Sequence, residues 1–167
     1  MKHMTILRGG PGSGKTTFAE TVAQRKQAKV ISADDYFTHD GCYDFRPSEL
    51  GQAHGQCFRR AVASISNWGC DLVVDNTNSQ SDEMIPYLAL AQAYGYTVEI
   101  ITMVCDPEVA WARQTHGLPR EKFDQINRRL LANDRTPALY RGAPWIRESV
   151  EVTDNSDFNP QDWEMSS

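Results

Sequence analysis

One loop of the chain combines the residue types that phosphate chemistry requires. Gly9-Gly10-Pro11-Gly12-Ser13-Gly14-Lys15-Thr16 satisfies the P-loop pattern G-x-x-x-x-G-K-[ST]. Glycines let the backbone wrap around a phosphate with its N–H groups pointing inward, and a following helix adds the positive end of its dipole. The lysine can reach the β- and γ-phosphates, and the threonine hydroxyl is a ligand for Mg²⁺. The sequence therefore predicts that ATP and Mg²⁺ bind at Gly10, Pro11, Gly12, Ser13, Gly14, Lys15, Thr16 and Thr17.

Two acidic segments are candidates for the remaining chemistry. Asp34 and Asp35 follow a short apolar run, and Asp75 ends the run Leu72-Val73-Val74. A kinase needs a carboxylate that orients the acceptor hydroxyl and takes its proton, which makes Asp34 a candidate general base. Asp75 has the position of a Walker B acid and would lie near the magnesium ion with Thr16. The alternatives are structural, since an Asp pair also caps helices and any buried strand can end in Asp.

Apolar runs of four to seven residues alternate with longer stretches of helical period, a pattern typical of a parallel sheet covered by helices on both faces. Five strands are predicted, over residues 4–8, 30–32, 71–75, 97–104 and 149–153. Five helices are predicted between them: residues 15–26, a long helix from Pro47 to Gly69, one from Ser79 or Ser81 to Gly95, residues 106–113, and one that carries Phe123, Ile126 and Leu130. Asp106 is expected to cap the fourth of these helices, because its side chain can accept hydrogen bonds from free backbone N–H groups. The fold class is therefore α/β, and the loop, Asp34 and Asp75 all follow strands, where ligands bind in open α/β sheets.

Composition limits the class of protein. The 167 residues are 40% hydrophobic and 23% charged, which fits one folded domain and excludes collagen, low-complexity disorder and disulfide miniproteins. The four cysteines form no C-x-x-C pair, no run approaches the length of a membrane span, and the chain begins without an apolar signal region. We therefore expect a cytoplasmic protein that does not contact a membrane.

The net charge of −5 would argue against a polyanionic substrate if the charge were spread evenly along the chain, but it is not. Residues 106–147 contain eight Lys or Arg and five Asp or Glu, a net charge of +3, whereas the rest of the chain is acidic. The basic segment limits a nucleic acid to a small surface and favours a strand end over a long duplex. We expect Arg128 and Arg129 in this segment either to lie on a solvated helix face or to hold the backbone of a bound nucleic-acid strand.

Four segments, in this order and spacing, resemble the P-loop polynucleotide kinase family. They are the P-loop with the following Thr17, Ala-Asp-Asp-Tyr-Phe at 33–37, Val-Val-Asp-Asn-Thr-Asn at 73–78, and Arg-Gln-Thr-His-Gly-Leu-Pro-Arg at 113–120. Tyr-Asp-Phe at 43–45 and Ala-His at 53–54 belong to the same pattern. The nearest similarity is to the kinase domain of the NEDD-four-binding protein type, and the kinase domain of bacteriophage polynucleotide kinase is more distant.

The resemblance implies a three-layer P-loop kinase fold with a five-stranded parallel sheet and a helical lid, over residues 1–153 with the lid at about 113–122. Residues 154–167 would form an acidic C-terminal tail. The implied reaction moves the ATP γ-phosphate to the 5′-hydroxyl of a DNA or RNA strand, with a single-stranded 5′ end as the binding partner. A kinase for a small-molecule or nucleotide hydroxyl and a regulatory NTP-binding ATPase remain alternatives.

The same resemblance suggests roles for individual residues. Asp34 would be the base, Asp35 would support its loop, and Arg113 would approach the transferring phosphoryl group. The implied substrate contacts are Asp34, Asp35, Tyr36, Asn76, Asn78 and His116. Phe37 replaces an arginine that contacts the acceptor phosphate in the phage enzyme, so either Phe37 or Tyr36 stacks on a base or Phe37 belongs to the core. His54, on the apolar face of its helix, is expected to be buried.

Overall fold

The computed structural model describes residues 2–115 and 117–152. The strands of the described chain are β1 (His3–Arg8), β2 (Lys29–Ile31), β3 (Thr38–His39), β4 (Cys42–Tyr43), β5 (Leu72–Asp75), β6 (Thr97–Val104) and β7 (Ile146–Val152). The main sheet has five parallel strands in the order β2-β5-β1-β6-β7, and β3 and β4 form a separate two-stranded antiparallel hairpin. The strand β1, which leads into the glycine-rich loop, therefore lies at the centre of the sheet.

Five α-helices surround the sheet in the described residues. They are α1 (Lys15–Lys26), α2 (Leu50–Trp68), α3 (Ile85–Tyr94), α4 (Pro107–Arg113) and α5 (Arg120–Ala132). Short 3₁₀ turns occur at Asp34–Phe37, Pro47–Glu49, Ser81–Met84 and Ala138–Tyr140. No helix within this part of the chain has the length and apolar character needed to cross a membrane.

The side chains of β1 alternate between two cores, one on each face of the sheet. Met4 and Ile6 pack with buried residues of α2 and α3, whereas Leu7 packs with Phe18 and Val22 of α1. All of these side chains are almost completely buried. The sheet is thus the middle layer of three, which confirms the predicted three-layer α/β P-loop fold with a parallel five-stranded sheet.

Several helix ends follow the predicted signals. Asp106 caps α4, because its Oδ1 accepts hydrogen bonds from the backbone N–H groups of Glu108 (2.9 Å) and Val109 (3.2 Å). The glycines after α2 and α3, Gly69 and Gly95, have φ angles of 60° and 69°, the left-handed conformation of a helix C-terminus. These local rules need no tertiary information, which explains why the sequence was sufficient for them.

Other boundaries differ from the prediction. Pro47 begins a 3₁₀ turn, so α2 starts at Leu50, and the turn before α3 is capped by Gln80 with Glu83 in a capping box. The last strand begins at 146, three residues earlier than predicted, because it pairs with β6 along seven positions. The predicted burial of His54 is wrong: its side chain is exposed, whereas its helix neighbour Ala53 is buried.

The hairpin of β3 and β4 was missed from the sequence although it has a recognisable signal. Asp40 and Gly41 connect the two strands with φ angles of 51° and 79°. In two-residue hairpin loops, the turn with two successive positive φ angles matches the twist of the flanking strands, and Asp-Gly is a preferred pair for this turn. The strands are only two residues long and mostly exposed, so no hydrophobic alternation marked them.

Candidate active site

The glycine-rich loop connects the end of β1 to the start of α1. Its first residue is fixed to the neighbouring strand end, because the Gly9 N–H donates to the Thr77 carbonyl at 3.1 Å. Gly12 and Gly14 have φ angles of 75° and 87°, which L-residues with side chains rarely adopt. The loop therefore takes the conformation that its glycines permit, directly before the N-terminus of α1.

The loop also packs against α4 and α5, the helices on either side of the predicted lid segment. A Cβ atom at Gly12 would lie 1.9 Å from the Ala110 carbonyl oxygen of α4, and one at Gly10 would lie 2.5 Å from Asn127 Oδ1 of α5. A Cβ so close to a backbone oxygen is sterically impossible, so α4 can take this position only above a glycine. This close approach places the end of α4 beside the loop.

A cleft of about 410 Å³ opens between these elements. It is lined by Pro11, Gly12, Ser13, Gly14, Lys15, Thr16, Thr17, Asp34, Asp75, Thr77, Arg113, Gln114 and Thr115. Seven of the eight residues predicted to bind phosphate are among them, Gly10 being the exception. Asp34, Asp75 and Arg113, which are distant in sequence, line the same cleft.

Thr16 and Asp75 are in direct contact at the base of the cleft. Thr16 Oγ1 donates a hydrogen bond to Asp75 Oδ2 at 2.9 Å. Burial raises the pKa of the Asp75 carboxyl above its ordinary value, while the charge of Lys15 and the Thr16 hydrogen bond act in the opposite direction. A hydroxyl and a carboxylate side by side are hard oxygen donors, and Mg²⁺ is commonly bound by one or two such groups together with substrate phosphates. These residues therefore fit a magnesium ion.

Lys15 lines the cleft, in surroundings that stabilise its charged form less well than water does. Burial lowers the pKa of its ammonium group, and the nearby charges of Asp75 and Asp34 partly restore it. A buried ammonium group that is only partly compensated gains most from an added anion. The energetics of Lys15 therefore favour a negatively charged ligand in this cleft.

Asp34 is exposed and lines the same cleft. It begins the 3₁₀ turn Asp34–Phe37, and its backbone N–H donates to Ser32 Oγ at 3.2 Å. Its Oδ1 atom accepts a hydrogen bond from the Tyr43 hydroxyl at 3.1 Å. Asp34 also contributes to the electrostatic environment of both Lys15 and Asp75. A solvent-accessible carboxylate thus faces the same cleft as the phosphate loop.

Asp35 and Tyr36 lie on a second cleft, of about 380 Å³, beside the first. Asp35 forms an ion pair with Arg60 of α2. The Tyr36 hydroxyl lies within hydrogen-bond distance of two acceptors, Glu49 Oε2 at 3.1 Å and Gln52 Oε1 at 2.9 Å. These contacts attach the Asp34 loop to the start and the middle of α2, so both residues have a supporting role in the described structure. Phe37 is buried in the core, as one of the two alternatives for it predicted.

The structure places Asn76 away from both clefts, in contrast to the prediction that it contacts substrate. Its side chain is only 5% exposed. Asn76 Oδ1 accepts from the Ala33 N–H at 2.9 Å, and Nδ2 donates to the Tyr87 hydroxyl at 3.2 Å. The amide thus connects the end of β5 to the segment before Asp34 and so helps to hold that segment in place.

Asn78 is also turned into the protein rather than towards a substrate. Its Nδ2 donates to the Leu7 carbonyl at 2.7 Å, and Arg8 Nε donates to the Asn78 carbonyl at 3.1 Å. Both Asn78 and Arg8 are buried. Together they join the ends of β1 and β5, which carry the phosphate loop and Asp75. The strand-end position was predicted from sequence, whereas the direction of the side chain was not.

The remaining site predictions concern the lid. Arg113 is the last residue of α4 and lines the phosphate cleft. His116 and the tail 154–167 lie outside the described residues. Arg128 and Arg129 are exposed on α5, as both alternatives given for them require.

Comparison with known proteins agrees with this geometry. A family model described as "AAA domain" matches residues 4–131. The chain belongs to this AAA-domain family. Over 132 residues it is 36% identical to human NEDD4-binding protein 2, and over 116 residues it is 30% identical to the 2′,3′-cyclic-nucleotide 3′-phosphodiesterase of Pongo abelii. These matches cover 74% and 66% of the chain but only 7% and 25% of the two relatives.

Solved structures show the same fold at low sequence identity. A chain of the Pnkp1/Rnl/Hen1 RNA repair complex superimposes with a TM-score of 0.64 at 19% identity, over 77% of this chain and 44% of that chain. A sugar kinase from Janibacter superimposes with a TM-score of 0.59 at 16% identity, over 97% and 90%. The AAA-domain chain therefore has a P-loop kinase-like fold, and these similarities do not define a subtype.

Sequence reasoning missed several residues at the site of this AAA-domain chain. Thr77, Gln114 and Thr115 line the phosphate cleft, and Tyr43 contacts Asp34. Thr77, Gln114 and Thr115 lie inside the segments 73–78 and 113–120, so the motifs included these residues but no role was predicted for them. Tyr43 reaches Asp34 only because the hairpin folds back, and the Asp-Gly turn was the signal for that contact.

Proposed function

We propose that the protein is an ATP-dependent kinase that transfers the γ-phosphate to the 5′-hydroxyl of a DNA or RNA strand end. One observation carries the proposal: the exposed carboxylate of Asp34 lines the same cleft as the P-loop and Lys15. A nucleotide-binding switch requires only the phosphate loop. A phosphotransferase also requires a carboxylate that can orient the acceptor hydroxyl and take its proton.

The phosphate loop supplies binding and charge compensation. Backbone N–H groups at the start of α1 and the ammonium group of Lys15 would bind the ATP phosphates. Thr16 and Asp75 would hold Mg²⁺, which neutralises phosphate charge when bound. Arg113, at the end of α4, lines the same cleft and would stabilise charge on the transferring phosphoryl group.

Asp34 performs the proton transfer in this proposal. Its carboxylate accepts the proton of the 5′-hydroxyl while the hydroxyl oxygen bonds to the γ-phosphorus of ATP. The bond between that phosphorus and the oxygen bridging to the β-phosphate breaks, and ADP leaves with the electron pair. The hydrogen bond from Tyr43 keeps one carboxylate oxygen oriented and leaves the other available for the acceptor.

The decisive experiment offers γ-labelled ATP and Mg²⁺ to 5′-hydroxyl DNA and RNA oligonucleotides, and in parallel to nucleosides and sugars. We expect label on the oligonucleotides. Asp34→Asn should reduce transfer by at least about 10²-fold, the usual contribution of a general base, and leave ATP binding unchanged. Asp40→Asn is the matched control, because it makes the same charge change at an exposed turn of the hairpin. Full transfer by Asp34→Asn would refute the assignment of the base.

A small-molecule hydroxyl is the second candidate acceptor. The cleft beside Asp34 has three carboxylates among its described lining residues, Asp35, Asp44 and Glu49, which does not suit a long polyanion. The fold similarity to a sugar kinase is consistent with this candidate. Salt distinguishes the two acceptors, since the affinity of a strand that contacts several phosphates falls steeply with salt and that of a neutral small molecule does not.

A further inference from the structure

Two aromatic rings form an exposed surface next to Asp34. Tyr43 ends β4 and Phe45 follows it two residues later, and they are 37% and 40% exposed. Their ring planes are nearly parallel, 8° apart, with centroids separated by 6.4 Å. Residues two apart on an extended segment project to the same side, so both rings lie on one side of the segment 43–45. We call this pair the aromatic platform.

The platform has a rigid support. The buried ring of Phe37 contacts Tyr43 at 6.3 Å and Phe45 at 5.0 Å between centroids, each time at a steep angle. Edge-to-face contacts of this kind are favourable and orient both partners. The Asp44 N–H also donates to the Phe37 carbonyl at 2.8 Å, which ties the backbone of the platform to the Asp34 loop. The platform and the candidate base are thus held by the same short segment.

Tyr43 connects the platform directly to the reacting group. Its hydroxyl donates to Asp34 Oδ1 at 3.1 Å. Burial and the neighbouring Asp34 charge raise the pKa of this phenol, so it remains a donor throughout the physiological range. A flat ligand that extends the stack of Tyr43 and Phe45 would lie close to the carboxylate that the Tyr43 hydroxyl contacts.

The charges around the platform do not favour recognition of phosphates. Arg46 pairs with Asp44 and Glu49, and Arg60 pairs with Asp35. The arginines beside the platform are thus already compensated by carboxylates. The partly exposed aromatic rings, in contrast, suit an uncharged planar group.

We propose that the aromatic platform binds the base of the acceptor's 5′-terminal nucleotide by stacking and so places the 5′-hydroxyl at Asp34. This proposal rests on the proposed kinase function and gives it an acceptor determinant. Stacking on aromatic side chains accepts any base, because every base has a π-face. The enzyme would therefore tolerate all four bases at the 5′ end but require that a base is present, and this contact would depend little on salt.

The test combines a variant with a modified acceptor. Phe45→Leu removes a ring that makes no described contact with Asp34, and Tyr94→Leu is the control, since Tyr94 is 41% exposed at the end of α3. Equilibrium binding and phosphoryl transfer are measured with a single-stranded 5′-hydroxyl hexamer and with the same hexamer lacking its 5′-terminal base. We expect Phe45→Leu to weaken binding of the intact hexamer and raise its KM about tenfold, which equals about 1.4 kcal/mol, with the KM for ATP unchanged.

The abasic hexamer keeps the test independent of how well the variant folds. Wild-type protein should bind it about tenfold more weakly than the intact hexamer, and Phe45→Leu should cause no further loss with it. Tyr43→Phe keeps the ring but removes the hydrogen bond, so it should lower kcat more than it raises KM.

The outcomes separate the two proposals. If Phe45→Leu and the abasic hexamer both leave KM unchanged while transfer proceeds, the platform is refuted and the kinase proposal stands. If both weaken hexamer binding but no phosphate is transferred, the platform stands and the kinase proposal fails. If wild-type protein does not bind the hexamer, or if Phe45→Leu weakens intact and abasic hexamers equally, the platform is refuted.

Discussion

Replacing Asn76 with alanine tests whether this residue supports the site or contacts the substrate. In the structure its Oδ1 is the acceptor for the buried Ala33 N–H, and its Nδ2 donates to Tyr87. The variant leaves that N–H unsatisfied, which costs about 1–3 kcal/mol. The void left by the amide adds about 1 kcal/mol. Tyr87 loses less, because its hydroxyl still donates to Cys57 Sγ at 3.2 Å.

The expected total loss for Asn76→Ala is about 2–4 kcal/mol of unfolding free energy, measured by urea denaturation with an unchanged m-value. For a chain of this size this loss corresponds to a Tm lower by roughly 5–15 °C. Asn67→Ala, at an exposed position of α2, should change stability by less than about 0.5 kcal/mol. A stable Asn76→Ala protein whose only defect is a raised KM for the acceptor would show that Asn76 contacts substrate after all.

Two further predictions concern the phosphate loop and the buried carboxylate. An L-residue in the left-handed backbone conformation of Gly12 costs about 1–2 kcal/mol. Gly12→Ala should lose more unfolding free energy than this, because the new Cβ would also displace α4 at Ala110. Gly10→Ala should lose less, because its Cβ would meet only the end of the Asn127 side chain. Equal losses on denaturation would contradict this packing. Because burial raises the pKa of Asp75, stability without Mg²⁺ should fall as the pH rises from the ordinary carboxyl value through that raised pKa. Mg²⁺ affinity should rise over the same interval, since the ion needs the carboxylate. Thermal melts across that interval with and without Mg²⁺ check both slopes, and a rise in metal-free stability would refute the shift.

The parts of this structure that the sequence predicted are those governed by local rules. The P-loop and the Asp106 cap follow from residue types at fixed spacing. The parallel sheet follows from continuous apolar runs between helices. These signals depend on neighbours within a few residues, so they do not require knowledge of the tertiary structure.

The direction of a polar side chain at a strand end is not a local property. Asn76 and Asn78 were placed at the correct edge of the sheet, but whether each amide faces the cleft or the core depends on partners far away in sequence. Asn76 turns inwards because the Ala33 N–H needs an acceptor, and Asn78 because the Leu7 carbonyl needs a donor. His54 shows the same limitation, since its helix face was predicted to be apolar but lies at the surface.

Gly12 is required by a helix as well as by a phosphate. The Ala110 carbonyl of α4 occupies the space that any side chain at position 12 would need. A descendant of this protein that had lost its ligand would still need glycine there for as long as α4 kept its place. The packing of α4 makes no such demand for an ammonium group at Lys15. In divergent relatives, a glycine at the position of Gly12 therefore indicates that α4 keeps this packing, whereas a lysine at the position of Lys15 indicates that phosphate binding is kept.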